Sequence, residues 1–168
     1  GKERFVYGLH SVNDTSVERC TKALAAAKQK PPPQPEIDAA ATDFGAKLAA
    51  VLPKIAEAVT YYQSGEYKTD KLAKGKLLHQ PLTAAFDAFE AADKKLRNSM
   101  SSIKDGMAQR ELVRMEKTSG KNLAYLAKAM LIPARTLVRT GSPDGYVKVD
   151  PKAFEKSIEQ YATSVRTM

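Results

Sequence analysis

The chain has 168 residues, one cysteine, no tryptophan and a formal net charge of +8. That length can bury a core without disulfides or metal. The single cysteine excludes an intramolecular disulfide, and no apolar run approaches the roughly 20 residues of a membrane span. The charge points to an acidic partner, either nucleic acid, an anionic membrane face or an acidic protein, unless the lysine-rich helix faces are simply solvated.

Abundant alanine and the lack of β-branched runs predict helix nearly throughout. The N-terminal segment, residues 1–30, begins with RFVYGLHSV, either a short extended piece or an irregular helix. Asn13, Asp14, Thr15 and Ser16 are N-cap types ahead of Val17, Cys20, Leu24 and Ala27, so a helix is expected over about 16–28. Within it Cys20 reads as a small apolar residue, not a nucleophile. Consecutive prolines then make residues 31–35 a stiff linker. Residues 36–168 form the bundle domain.

The first long helix is expected from about Glu36 to Gln63, with Ile37, Ala41, Phe44, Leu48, Leu52, Ile55, Val59 and Tyr62 at three- and four-residue steps. Pro53 should kink it, and Ser64-Gly65 should end it. The second is expected from Thr69 or Asp70, both good caps. Its stripe runs through Leu78, Leu82, Ala85, Phe89, Ala92, Leu96, Met100 and Ile103, with Pro81 as a second kink. The stripe then continues through Met107, Leu112, Met115, Leu123, Leu126, Met130, Leu137 and Val138, with Pro133 as a third kink. The reversal into a third helix falls at Lys104-Asp105-Gly106 or at Thr118-Ser119-Gly120. The first is preferred because it gives helices of similar length. Ser142-Pro143-Asp144-Gly145 is a turn. Asp150-Pro151 opens a last helix to about Val165, its apolar face formed by Phe154, Ile158, Tyr161 and Val165. The expected fold is all-α: an elongated helical bundle of three long kinked helices plus a C-terminal helix and a Pro-linked N-terminal segment.

No catalytic motif is visible. His10 and His79 lack neighbours that would complete a metal site, so neither metal nor cofactor is expected. Asp87, Glu90 and Asp93 share a helix face with Lys94 and Lys95, which fits a solvated ion-paired surface better than an acid/base pair. Gly75-Lys76 is followed by Leu77 and preceded by no strand, so it is not a phosphate loop. The one candidate binding surface is the tip between the first two long helices: Tyr61, Tyr62, Tyr67, Lys68, Lys71, Lys74, Lys76 and His79. Lysines beside tyrosines can bind single-stranded nucleic acid, an anionic headgroup or an acidic protein. Equally, the tyrosines can cap the bundle core while the lysines solvate its end.

The stretch YYQSGEYKTDKLAKGKLLHQPL resembles the YiiG family, bacterial envelope proteins with a domain of unknown function. Its features are Tyr61-Tyr62, Tyr67-Lys68 with Asp70, Ala73-Lys74-Gly75-Lys76, Leu78-His79 and LTAAFDAFEAADKKL. Cys20 with Ala23-Leu24, the proline cluster, Ile37-Asp38-Ala39-Ala40, Ser119-Gly120-Lys121, Tyr125-Leu126 and Met130 also fit. The resemblance implies an exported lipoprotein in the periplasm, held by a lipidated cysteine upstream of Gly1, and offers no catalytic residues. Cys20 is not a lipidation site, since Ser16-Val17-Glu18-Arg19 is not the end of a signal peptide. The function this implies is a non-enzymatic envelope protein, a structural or binding module. Its partner would be an envelope protein or an anionic membrane surface, and export argues against nucleic acid. The alternative is a basic helical module binding a polyanion or acidic protein in the cytoplasm.

Overall fold

In a computed structural model the fold is an all-α helical bundle; the structure describes residues 11–30, 32–141 and 149–166. Six helices occur among these residues: α1 (Asp14–Lys28), α2 (Pro35–Ser64), α3 (Glu66–Thr69), α4 (Ala73–Ser119), α5 (Leu123–Gly141) and α6 (Pro151–Arg166). No strand occurs among them. The sequence readings of RFVYGLHSV up to His10, of Pro31 and of the Ser142–Gly145 turn lie outside the described residues. The chain divides into two compact units, one within residues 1–100 and one within 101–168.

Local capping explains most helix ends. Asn13 accepts a hydrogen bond on its side chain from the Ser16 amide at 3.3 Å and so starts α1. Pro35 takes the first turn of α2, where its missing N–H costs nothing. Gly65 ends α2 at φ +77°, a conformation that suits glycine. The Asp150 carboxylate accepts from the Lys152 and Ala153 amides at 3.0 and 3.3 Å, which starts α6 at Pro151 as expected. α2, α4 and α5 pass through Pro53, Pro81 and Pro133 without a break.

In the first unit α2 and α4 run antiparallel. Glu36 accepts a hydrogen bond from the Ser99 hydroxyl at 3.3 Å. Phe44 meets Phe89 with ring centroids 5.2 Å apart, and Tyr61 lies against Gly75. Fully buried positions are mostly small: Ala40, Ala41, Ala58 and Ala92, with Val51, Val59 and Tyr61. The larger expected core residues Phe44, Leu48, Ile55, Leu82, Phe89 and Leu96 flank this seam half-buried. Small side chains let two helices approach closely, and large ones then pack to either side.

In the second unit the end of α4, α5 and α6 pack in antiparallel order. Arg139 reaches Asp105 at 3.0 Å and Lys128 reaches Glu111 at 3.8 Å. Thr140 and Ser157 share a hydroxyl hydrogen bond of 2.7 Å. Phe154 covers Gly141 so closely that an added Cβ would lie 2.7 Å from its ring. Leu126 and Met130 are half-buried.

Three expectations fail. The reversal preferred at Lys104–Gly106 is not there: α4 runs on to Ser119 and turns at Gly120, φ +68°. A mid-helix glycine costs only about 1 kcal/mol relative to alanine and is tolerated at 106. Asn122, whose side chain accepts from the Tyr125 amide at 3.0 Å, restarts the chain as α5. The second and third long helices are therefore unequal, at 47 and 19 residues. Secondly, α4 begins at Ala73 and not at Thr69 or Asp70: Thr69 closes the four-residue α3, and Asp70 caps α4 from across a left-handed turn at Lys71 and Leu72. Thirdly, Met100, Met107, Leu123, Val138, Ile158 and Val165 are exposed, not core. Ser157 takes the buried place on α6 because it sits against Thr140.

The two glycines separate these turn assignments. Gly106→Ala should stabilise by about 0.5–1 kcal/mol, because its Cβ would meet only the mobile Arg110 side chain at 3.7 Å. Gly120→Ala should destabilise by about 1 kcal/mol, since only the backbone conformation is strained there. Urea unfolding of both variants checks the pair; a reversal at residue 106 would give the opposite signs.

Candidate functional site

The tip is built where α2 stops. The Ser64 hydroxyl donates to the Tyr61 carbonyl at 3.0 Å and Gly65 reverses the chain. α3 is one turn, closed by the Asp70 amide on the Glu66 carbonyl at 3.1 Å. Lys71 and Leu72 then both adopt left-handed backbone, φ +52° and +68°. For residues with a Cβ this costs roughly 1–2 kcal/mol each, so something must hold it.

Asp70 holds it. One carboxylate oxygen accepts from the Leu72 amide at 2.9 Å and the other from the Lys74 amide at 3.0 Å. Both accept from the Tyr61 hydroxyl, at 2.8 and 3.0 Å. Asp70 thus caps α4 from outside the usual cap position and ties it to the last turn of α2. Gly75 makes the approach possible: a Cβ there would lie 2.9 Å from the Tyr62 hydroxyl and 3.1 Å from the Tyr61 ring. Around this point Tyr61 meets Tyr62 edge-on at 4.8 Å, and Tyr62 meets Tyr67 at 5.8 Å.

The candidate set therefore separates. Tyr61 is 1% exposed and belongs to the interior of the tip, which corrects its place on the binding surface. Tyr62 and Tyr67 are half-buried and show one side. Lys68, Lys71, Lys74 and Lys76 are exposed. Lys68 lies 5.6 Å from the centre of the Tyr67 ring, and Lys74 lies 5.8 Å from that of Tyr61 and 3.8 Å from Glu66. His79 is exposed a turn beyond Gly75, on α4. Asp70 and Gly75 are the residues that sequence reasoning left out of the site. A glycine near a helix start, five residues after an aspartate and opposite a tyrosine pair, was the available signal.

Burial pushes the Tyr61 hydroxyl above its ordinary value, and the hydrogen bond and charge of Asp70 add to this. Burial also pushes Asp70 upward, but the Lys74 amide, the Tyr61 hydroxyl and the Leu72 and Ala73 amides together outweigh it, so the carboxyl lies below its ordinary value. Both groups move away from neutrality, the reverse of what acid–base catalysis asks of a pair. Among the described residues no group of three or more His, Cys, Asp or Glu could hold a metal, and no helix is long and apolar enough to cross a membrane.

Comparison with known proteins agrees with the sequence resemblance. The family described as "Protein of unknown function (DUF3829)" matches residues 1–168. The uncharacterized protein YiiG of Escherichia coli strain K12 is 30% identical over 165 residues, 98% of this chain and 46% of the relative. The chain thus spans about half the length of the curated relative it matches. No solved structure matches.

The tip makes two predictions. Asp70 has a lower value folded than unfolded, so its contribution is complete above the ordinary carboxylate range near pH 4 and is lost as pH falls through its folded value. Tyr61 has a higher value folded, so its contribution is complete below about pH 10 and is lost as pH rises through its folded value. Asp70→Asn should flatten the acid side of a melting-temperature profile and Tyr61→Phe the alkaline side; curves parallel to wild type would contradict the coupling. Gly75→Ala should destabilise by about 1–3 kcal/mol despite better helix propensity, because the Tyr61 ring cannot retreat. Thermal or urea unfolding measures it.

Proposed function

The chain belongs to the DUF3829 family of proteins of unknown function, and from that premise we propose that it is a non-enzymatic binding module of the bacterial cell envelope. The tip between α2 and α4 is its contact surface. The observation that carries this reading is the exposed set Lys68, Lys71, Lys74 and Lys76 on and beside a turn that Asp70 holds in place, with Lys68 over the half-buried Tyr67 ring. Lysines on a fixed turn keep their spacing, which favours a defined anionic partner over diffuse solvation. The net charge of +8 acts in the same direction. Support for the compartment comes from the resemblance to a bacterial envelope family. The partner is an anionic membrane face or an acidic envelope protein.

Two measurements test this. The full-length native protein should fractionate with the envelope, and recovery in the cytosol would contradict the placement. Reversing Lys68, Lys71, Lys74 and Lys76 to Glu should lower capture by vesicles containing anionic lipid, or by envelope extract, by about tenfold or more. Stability should change by less than about 1 kcal/mol, because exposed charges contribute little. Wild-type capture should weaken with salt, since screening acts over about 10 Å at 0.1 M. Undiminished capture by the reversed protein would remove the tip from the reading.

A further inference from the structure

A second basic surface lies in the unit within residues 101–168 and owes nothing to the tip. α4 and α5 leave an open groove of about 610 Å³ between them. Its apolar floor includes Met107, Leu131 and Ile132, and its cations are Lys104, Lys128 and Arg135. The floor is unusually bare: Met107 is 58% and Leu131 49% exposed. The lining recurs at helical steps on both walls, at 104, 107 and 111 on α4 and at 124, 127, 131 and 135 on α5. Glu111, the one acid in the lining, is already committed. Arg114 donates to it at 2.7 Å and Lys128 lies 3.8 Å away. Lys104 and Arg135 form no ion pair among the described residues.

We infer that the groove between α4 and α5 is a docking site for an acidic amphipathic helix of a partner protein. Three properties select that occupant. The groove is concave and walled by two antiparallel helices, which suits a third helix laid along it, whereas a membrane surface takes a convex amphipathic face. The wall from 124 to 135 is roughly 16 Å long, enough for three turns of an incoming helix. Such a helix would place apolar side chains at three- and four-residue spacing on Met107 and Leu131, and carboxylates beside Lys104 and Arg135. Cations flank the floor from both walls, so a second copy of the same face would oppose like charges, whereas an acidic partner complements them. The exposed floor also argues against a small ligand, which binds where most of its surface can be enclosed.

The test uses a fluorescent amphipathic peptide of about 14 residues, with leucines at helical spacing and glutamates elsewhere, titrated into the whole chain. Saturable binding is expected. It should weaken about tenfold or more in Met107→Ser/Leu131→Ser and in Lys104→Glu/Arg135→Glu. A peptide with lysines in place of the glutamates, and one with the leucine spacing scrambled, should bind at least about tenfold more weakly. The variant reversed at Lys68, Lys71, Lys74 and Lys76 should bind the peptide as wild type does, which keeps failure at the groove distinct from failure at the tip. Since the substituted side chains are exposed, unchanged circular dichroism melts are expected for the groove variants. Absence of saturation up to about 1 mM would overturn the inference. So would equal binding by the groove variants or by the scrambled peptide. A concentration-dependent dimer abolished by the groove substitutions would assign the face to a second copy instead. Anionic vesicles captured by wild type and lost on the same substitutions would assign it to a membrane.

Discussion

The hydrogen bonds from the Tyr61 hydroxyl to the Asp70 carboxylate, 2.8 and 3.0 Å, set the end of the helical hairpin. Asp70 is also what closes the left-handed turn at Lys71 and Leu72 and starts α4. A single carboxylate therefore satisfies the end of one helix, fixes a strained connection and joins both to the helix before. From that fixed point α4 returns along α2 at a set register. Phe44 then reaches Phe89, and Glu36 reaches Ser99 at the far end. The small residues of the seam, Ala40, Ala41, Ala58 and Ala92, let the two helices lie close enough for these contacts.

The same constraint separates support from display. Tyr61 and Gly75 are given over to packing, with the Tyr61 ring too close to residue 75 to leave room for a side chain there. The tip lysines are exposed, and exposed charges contribute little to stability. The groove between α4 and α5 shows a similar division. Asp105–Arg139 and Glu111–Lys128 tie the helices together, while Lys104, Arg135, Met107 and Leu131 remain available. Each unit thus carries a basic surface supported by its own acid–base or hydroxyl–acid pairs.

What the sequence made legible was local. Asn13, Gly65 and Asp150-Pro151 mark helix ends because a cap acts within a few residues on groups no one else can satisfy. The α2 stripe and the Tyr–Lys tip were legible from spacing and density. The reversal into α5 was not, because glycines at 106 and 120 look alike until a cap is sought beyond each. Asn122 supplies one after Gly120. The exposure of Met107, Leu123 and Val138 was not legible either. A periodic stripe says that a face exists, not that another helix covers all of it. The burial of Tyr61 was not legible from sequence. Periodicity favoured Tyr62 as the core residue, but the chain reversal brings Asp70 and Gly75 against Tyr61.

The most direct test of the Tyr61–Asp70 constraint is amide hydrogen exchange at Leu72 and Lys74, the two backbone donors that Asp70 holds. Replacing Tyr61 by Phe keeps the ring and removes only the hydroxyl. If the hydroxyl positions Asp70, both amides should exchange faster in Tyr61→Phe, while amides of α5 and α6 keep their wild-type rates. Unchanged exchange at Leu72 and Lys74 would show that Asp70 holds the turn unaided, and would contradict the account.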